Sequence, residues 1–384
     1  MSGPRFFFTA IGLSSLIISS TAHSQAIDTR APHAILYDMT TDTILLEKKS
    51  DVPMPPASMS KLMTVYMVLE RLKSGSLSLD DKFLVSRKAW RKGGSKMFVM
   101  VNKRVSVEDL LRGIIVQSGN DACIVIAEGI SGSEESFAEA MTLKGKEIGL
   151  LESSFKNSHG YPGRGHYMSA RDIATLSRRI IRDFPEYYKM FAETEFTFSG
   201  IKQGNRNPLL YKGFGADGLK TGYTQASGYG LVASVNRNKR RLLLVVNGLK
   251  SIRERSSESA RLLDWGFRET KSYELFKKGD KIKGKKIENA DVWLGEAKKV
   301  PLAYGKDLTL TMSRKARQSL KVKISYKNPI PAPIKMGTSI GVVTVTAPNL
   351  DAIQIPIIAE RDIQRLGFLG RMFNALKFLF FGKG

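Results

Sequence analysis

Two short apolar runs, HAILYDM (33–39) and TILLEKK (43–49), flank a polar turn and predict a β-hairpin near the start of the chain. A second apolar stretch, LMTVYMVLERL, ends at Leu72 and predicts a helix that opens at Ser58. VEDLLRGIIVQ (107–117) has helical spacing and an acidic first turn, and it stops at the polar tripeptide SGN. DACIVIAEGI then starts another apolar helix, and SARDIATLSRRIIRDF (169–184) forms a third, amphipathic one. YGLVASV (229–235) and RRLLLVVNGL (240–249) predict a second hairpin around NRNK, and ESARLLDWGF (258–267) closes the region as a helix. Strands at both ends with helices between them predict an α+β fold on a mostly antiparallel sheet.

The texture changes near residue 268. From Arg268 to Lys327 there are 17 Lys and Arg against 7 Asp and Glu. Short strand-like pieces dominate (DVWLG, DLTLTM, KVKISY, IGVVTVTA, IQIPIIA), and NPIPAP marks a turn. This predicts a small all-β domain, without a repeat and without a catalytic cluster of its own. The final segment differs again. Leu366, Phe368, Leu369, Met372, Phe373, Leu376, Leu379 and Phe380 fall on one helical stripe, with Arg371, Asn374 and Lys377 opposite. The two basic residues interrupt any spanning run, so the pattern predicts a helix lying in a membrane interface.

Composition narrows the location. The chain has 384 residues, 42% hydrophobic and 25% charged, with a formal charge of +24. It begins with one arginine, an apolar stretch from Phe6 to Ile18 and then small residues up to Ala26, which predicts a cleaved export signal. That stretch, 13 residues long, falls short of the roughly 20 that a span needs. Export argues against nucleic acid as the partner of so basic a chain and points to a membrane surface or cell wall. The single cysteine, Cys123, has no disulfide partner within the chain. His33, His159 and His166 show no HExxH pattern, so no metal or other cofactor is expected.

Three stretches carry candidate chemistry. In PPASMSKLMT, Ser58 and Lys61 are three apart, which puts both on one face of a helix near its N-terminus. A capping serine and a surface lysine would leave the same pattern, and Ser153/Lys156 and Ser199/Lys202 repeat the spacing. Ser118–Gly119–Asn120 lies between two apolar helices, although S-x-N recurs at Ser234–Asn236. Lys220–Thr221–Gly222 occurs once and could equally be a turn before a strand. The ordered set S-x-x-K, S-x-N and K-T-G is far more specific than its parts.

With QSGNDACIVIAEGI, HYMSARDIATLSRRIIRD, DGLKTGYT and LLDWGF, the set resembles the low-molecular-mass penicillin-binding proteins that are D-alanyl-D-alanine carboxypeptidases. The resemblance covers nearly the whole mature chain. It implies a β-lactamase/transpeptidase-like catalytic domain at 27–267, a small all-β domain at 268–360 and an amphipathic anchor at 361–384, after a signal at 1–26. It implies Ser58 as nucleophile, Lys61 as base, Ser118 as proton relay and Asn120 as a holder of the peptide carbonyl. Backbone N–H groups of Ser58 and Tyr223 would form the oxyanion hole. Lys220, Thr221, Gly222 and Arg255 would bind the substrate, with the terminal carboxylate on Lys220, Thr221 and Arg255. Peptidoglycan pentapeptide, β-lactam antibiotics and the periplasmic face of the inner membrane would be the partners. Two positions depart from the family pattern: Tyr223 stands where histidine is common, and Gln225 where aspartate is.

The chemistry gives the lysine a reason. A serine hydroxyl needs a base, and lysine serves only as a neutral amine. Burial and a nearby cation lower its pKa, and the apolar helix together with Lys220 would supply both. A β-lactamase would share two motifs, but 151–172 offers no E-x-x-L-N for a deacylating water. A D,D-endopeptidase or an inactive wall-binding protein built on the same fold would also fit the motifs.

Overall fold

The computed structural model describes residues 27–282, 288–348, 350–370 and 372–373. The expected export signal and the end of the terminal stripe, Leu376, Leu379 and Phe380, lie outside the described residues. Both predicted hairpins form. Strands β1 (His33–Asp38) and β2 (Thr43–Lys48) pair antiparallel. The helices α1 (Lys61–Ser74), α2 (Val107–Ile115), α3 (Asn120–Ser131), α4 (Glu134–Glu147) and α5 (Ala170–Asp183) follow. Strands β3 (Ala216–Thr224), β4 (Gly228–Arg237) and β5 (Arg240–Leu249) and the long helix α6 (Ile252–Glu269) complete the region. The five strands form one antiparallel sheet in the order β2-β1-β5-β4-β3. The β4–β5 turn puts Asn238 and Lys239 at φ 52° and 65°, the left-handed pair that a two-residue hairpin favours.

The unbroken apolar run of β5 reflects a sheet covered on both faces. Leu242, Leu244 and Val246 pack on one side with Leu262 and Leu263 of α6. Leu243 and Val245 point the other way into a larger core with α1, α2 and α3. Two features depart from the apolar pattern. Helix α4 has few apolar residues, and α6 starts six residues before the expected ESARLLDWGF. Its true start carries a sequence signature: Ser251 Oγ accepts from Glu254 N–H at 3.0 Å, and Glu254 reaches back to Lys250 N–H at 2.7 Å.

Beyond α6 the described residues are almost all β. Strands β6 (Thr270–Phe276), β7 (Asn289–Trp293), β8 (Lys299–Tyr304), β9 (Leu308–Ser313), β10 (Lys321–Tyr326), β11 (Ile330–Pro331), β12 (Ser339–Ala347) and β13 (Leu350–Ala359) form two sheets. One is the pair β6-β9, the other runs β10-β12-β13-β8-β7-β11. They enclose a separate apolar core around Val300, Leu302, Val343 and Ile357. A buried carboxylate joins the two regions: Asp38 Oδ2 accepts from Arg240 Nε at 2.7 Å and from Thr311 Oγ1 of β9 at 2.8 Å. Among the described residues, no helix is long and apolar enough to cross a membrane. Phe368, Leu369, Met372 and Phe373 are all exposed.

Candidate active site

The stretch PPASMSK does not enter α1 directly. Ala57–Ser60 forms a 3-10 turn, and α1 starts at Lys61. Ser58, where the sequence predicts the helix to open, therefore stands one turn ahead of α1, with neither a capping bond nor a capping role. Ala57 takes φ 49°, a strained value for a residue with a Cβ. Asn247 Nδ2 holds the approach by donating to Pro55 O at 3.1 Å.

Lys61 is fully buried. Its amine finds three acceptors: Ser58 Oγ at 2.9 Å, Asn120 Oδ1 at 2.8 Å and the carbonyl of His159. Burial is the main cause that pulls its pKa down to about 8, and the charges of Arg206 and Lys92 push the same way. Lys220, the expected second cause, is itself buried. It is driven well below the usual lysine range, first by burial and then by Lys61. Two ammonium groups taken out of water in one site cannot both hold their protons cheaply.

The SGN tripeptide closes the site from the side. Asn120 opens α3, and its Nδ2 donates to Gly93 O at 2.9 Å. An amide NH2 has a second proton, so one remains for a ligand. Ser118 adopts φ 60°, and its buried Oγ has no hydrogen-bond partner. An orphaned hydroxyl on a strained residue is costly in a core and useful in a site.

Lys220, Thr221, Gly222 and Tyr223 lie on β3, the open edge of the sheet, so KTG is part of a strand and not a turn before one. A Cβ on Gly222 would meet Pro56 O at 3.0 Å and Met59 Cγ at 3.1 Å. Glycine thus lets the strand approach the Ser58 turn. Tyr223 is half exposed and stacks on Tyr229, its partner on β4, with ring centroids 4.1 Å apart. Arg255 belongs to the first turn of α6 and is 7% exposed, and its buried Nε has no partner.

Ser58, Ser118, Asn120, Thr221, Tyr223 and Arg255 line one cavity of about 560 Å³. No lining residue among those described carries a carboxylate, whereas Arg206 and Arg255 both face the space. A cavity with two guanidinium groups and no balancing acid favours an anionic ligand. Among the described residues, no three His, Cys, Asp or Glu side chains gather as metal ligands would.

Residues 19–251 match the family model described as D-alanyl-D-alanine carboxypeptidase. The chain belongs to that family. Residues 271–365 match a second model, the C-terminal domain of penicillin-binding protein 5. Among curated relatives, the D-alanyl-D-alanine carboxypeptidase DacC of Escherichia coli (strain K12) is 36% identical over 382 residues, 97% of this chain and 93% of that protein. Among solved structures, penicillin-binding protein 5 of Haemophilus influenzae matches with TM-score 0.74 and 36% identity, covering 88% of this chain and 99% of that one. The D-alanyl-D-alanine carboxypeptidase DacD of Francisella tularensis matches with TM-score 0.78 and 31% identity, over 88% and 95%.

Family membership makes the chain a serine peptidase and bears out the α+β region with its all-β companion. The residues that sequence reasoning missed are Arg206, Ser95, Tyr161 and His159. Arg206 donates to Ser95 Oγ at 2.5 Å and shares the cavity wall with it. Nothing in the local sequence GNRNP marks that arginine. His159 acts through its carbonyl, which every residue has.

Proposed function

We propose that this chain is a serine-type D-alanyl-D-alanine carboxypeptidase that removes the terminal D-alanine from peptidoglycan pentapeptide stems. The observation that carries the reading is Lys61, fully buried with its amine 2.9 Å from Ser58 Oγ and a pKa pulled to about 8. Near neutral pH a useful fraction of that amine is free to take a proton. The peptide's terminal carboxylate would bind Thr221 and Arg255, with Lys220 behind them. Ser58 Oγ then attacks the carbonyl carbon of the penultimate residue, and its proton passes to Lys61. Backbone N–H groups of Ser58 and Tyr223 would hold the oxyanion. Ser118 returns the proton to the leaving nitrogen, the C–N bond breaks, and D-alanine departs. Water then hydrolyses the ester on Ser58. A β-lactam offers the same carboxylate and a strained amide, so it would acylate Ser58 and stay.

The same reading puts the enzyme in the periplasm, exported by residues 1–26 and held at the inner membrane by 361–384. Four exposed large apolar residues between 368 and 373 support a lipid contact. Separate apolar cores, and family matches that end at 251 and resume at 271, support a catalytic domain 27–267 and a β-rich domain 268–360. Incubation with purified pentapeptide, followed by mass analysis, should show loss of one alanine. Penicillin treatment should leave one adduct, mapped to Ser58. An adduct on Ser153 or Ser199, or an unchanged peptide, would sink the reading.

A further inference from the structure

One buried acid beside the site has no part in the acylation steps. Glu134 is the first residue of α4 and is 6% exposed. Its carboxylate gathers the loop 157–161. Oε1 accepts from Ser158 N–H at 3.2 Å and from Ser158 Oγ at 2.8 Å, and it lies 3.3 Å from His159 Nε2. Oε2 is 3.2 Å from Lys88 Nζ. The His159 ring is neutral, because burial first and neighbouring lysine charges next push its pKa down to about 2. Its Nδ1 accepts from Tyr161 N–H at 3.2 Å, so the one ring proton is on Nε2 and points at Glu134.

The loop's backbone is fixed from other sides as well. Asn157 Oδ1 accepts from His159 N–H at 3.2 Å and from Gly160 N–H at 2.6 Å. The Ser158 carbonyl accepts from Thr64 Oγ1 of α1 at 2.6 Å. A Cβ on Gly160, at φ 88°, would lie 2.1 Å from Ala57 O, so the loop presses on the turn that carries Ser58. Between these anchors, the His159 carbonyl meets the amine of Lys61.

We propose that Glu134 is a positioning residue for Lys61: by holding Ser158 and His159 it fixes the carbonyl that aims the lysine amine at Ser58. The proposal rests on Lys61 being the base. Glu134 does not touch the substrate cavity, and its action depends on the length of its arm. A carbonyl acceptor favours the ammonium form, so losing its alignment both misaims the amine and lowers its pKa. The other groups acting on Lys61 include Arg206, Lys92, Asp121 and the Cys123 thiol. Those acting on His159 include Lys88, Lys92 and His166. Of these residues, Lys88 is the one paired with Glu134 itself, through its ammonium at 3.2 Å.

The test uses two variants of the full mature chain. Glu134→Asp keeps the charge and shortens the arm. Glu134→Gln keeps the arm and an acceptor oxygen and removes the charge; Lys88, 46% exposed, can turn to water. The rate constant of labelling by a fluorescent penicillin is followed from about pH 6 to about pH 10. A rate constant counts only folded molecules, so lost stability does not mimic the effect. Glu134→Asp should lower the high-pH plateau about 10-fold and move the midpoint of the profile to lower pH. Glu134→Gln should stay within about twofold of the native rate, with the native midpoint. An Asp variant with native plateau and midpoint, or a Gln variant that falls as far as Asp, overturns the proposal. Lys61→Ala in the same assay separates the underlying reading, because native-rate labelling there would remove the base itself.

Discussion

The spacing S-x-x-K occurs at Ser58–Lys61 and again at Ser199–Lys202, and the two places could hardly differ more. Ser199 is exposed in the turn between two short strands, and Lys202 Nζ pairs with Glu195 at 2.7 Å, both side chains open to water. Nothing there desolvates the amine or brings it to the hydroxyl. At Ser58 the lysine is fully enclosed, and the serine is one of its three acceptors. Ser153–Lys156 is a third case: Ser153 Oγ donates to Asp172 Oδ2 at 2.7 Å, and Lys156 is exposed. Spacing places two side chains on one face, but only burial turns a lysine into a base.

Breaking the enclosed pair should give the largest effect. Lys61→Ala is expected to slow acylation by penicillin about 10²- to 10⁴-fold, whereas Lys202→Ala should change it by less than about twofold. Equal losses at the two lysines would show that burial is not the deciding feature. Next in size is Arg255→Ala, which removes a charged donor from the cavity. It should lower kcat/KM for a pentapeptide about 10- to 100-fold, measured by release of D-alanine. The pH profile sharpens the contrast further. With Lys61 titrating at about 8, the acylation rate should climb through pH 8, and at pH 7 it should be about a tenth of its plateau. A flat profile from pH 6 to 9 would exclude a lysine base of this kind. The smallest effect concerns the far end of the chain. Ending it after Glu360 should leave hydrolysis of a soluble pentapeptide within about twofold, yet abolish sedimentation with anionic lipid vesicles. A truncated form that still sediments would make the basic β-domain the anchor.

Much of the fold and the site is legible in the sequence. Leu242 to Val246 reads as a strand because long apolar runs are rare outside cores. Ser58, Lys61, Ser118 and Asn120 read as a set because their order is specific. What escapes has no local signal, or an ambiguous one. Helix α4 shows mixed small and charged residues, and its stability comes from packing Phe137 and Met141 inward. Strand β3 reads as a possible turn because KTG ends in glycine, and the reason for that glycine is the Ser58 turn, distant in sequence. Arg206 is invisible because its neighbours in the cavity come from other segments. His159 is invisible for another reason, since its contribution is a backbone carbonyl.

The enclosed lysine also has a thermodynamic side. Lowering its pKa from the unfolded value near 10.5 to about 8 means that, below pH 8, the folded chain holds a proton at a penalty of roughly 3 kcal/mol. That is a sizeable share of the ~5–15 kcal/mol by which a domain is stable. Between pH 8 and 10.5 the unfolded chain binds the proton more readily than the folded one, so this residue's contribution to stability rises with pH through that window. At neutral pH the protein therefore carries a standing load in its core. Alkaline conditions lift the load by the same deprotonation that frees the amine.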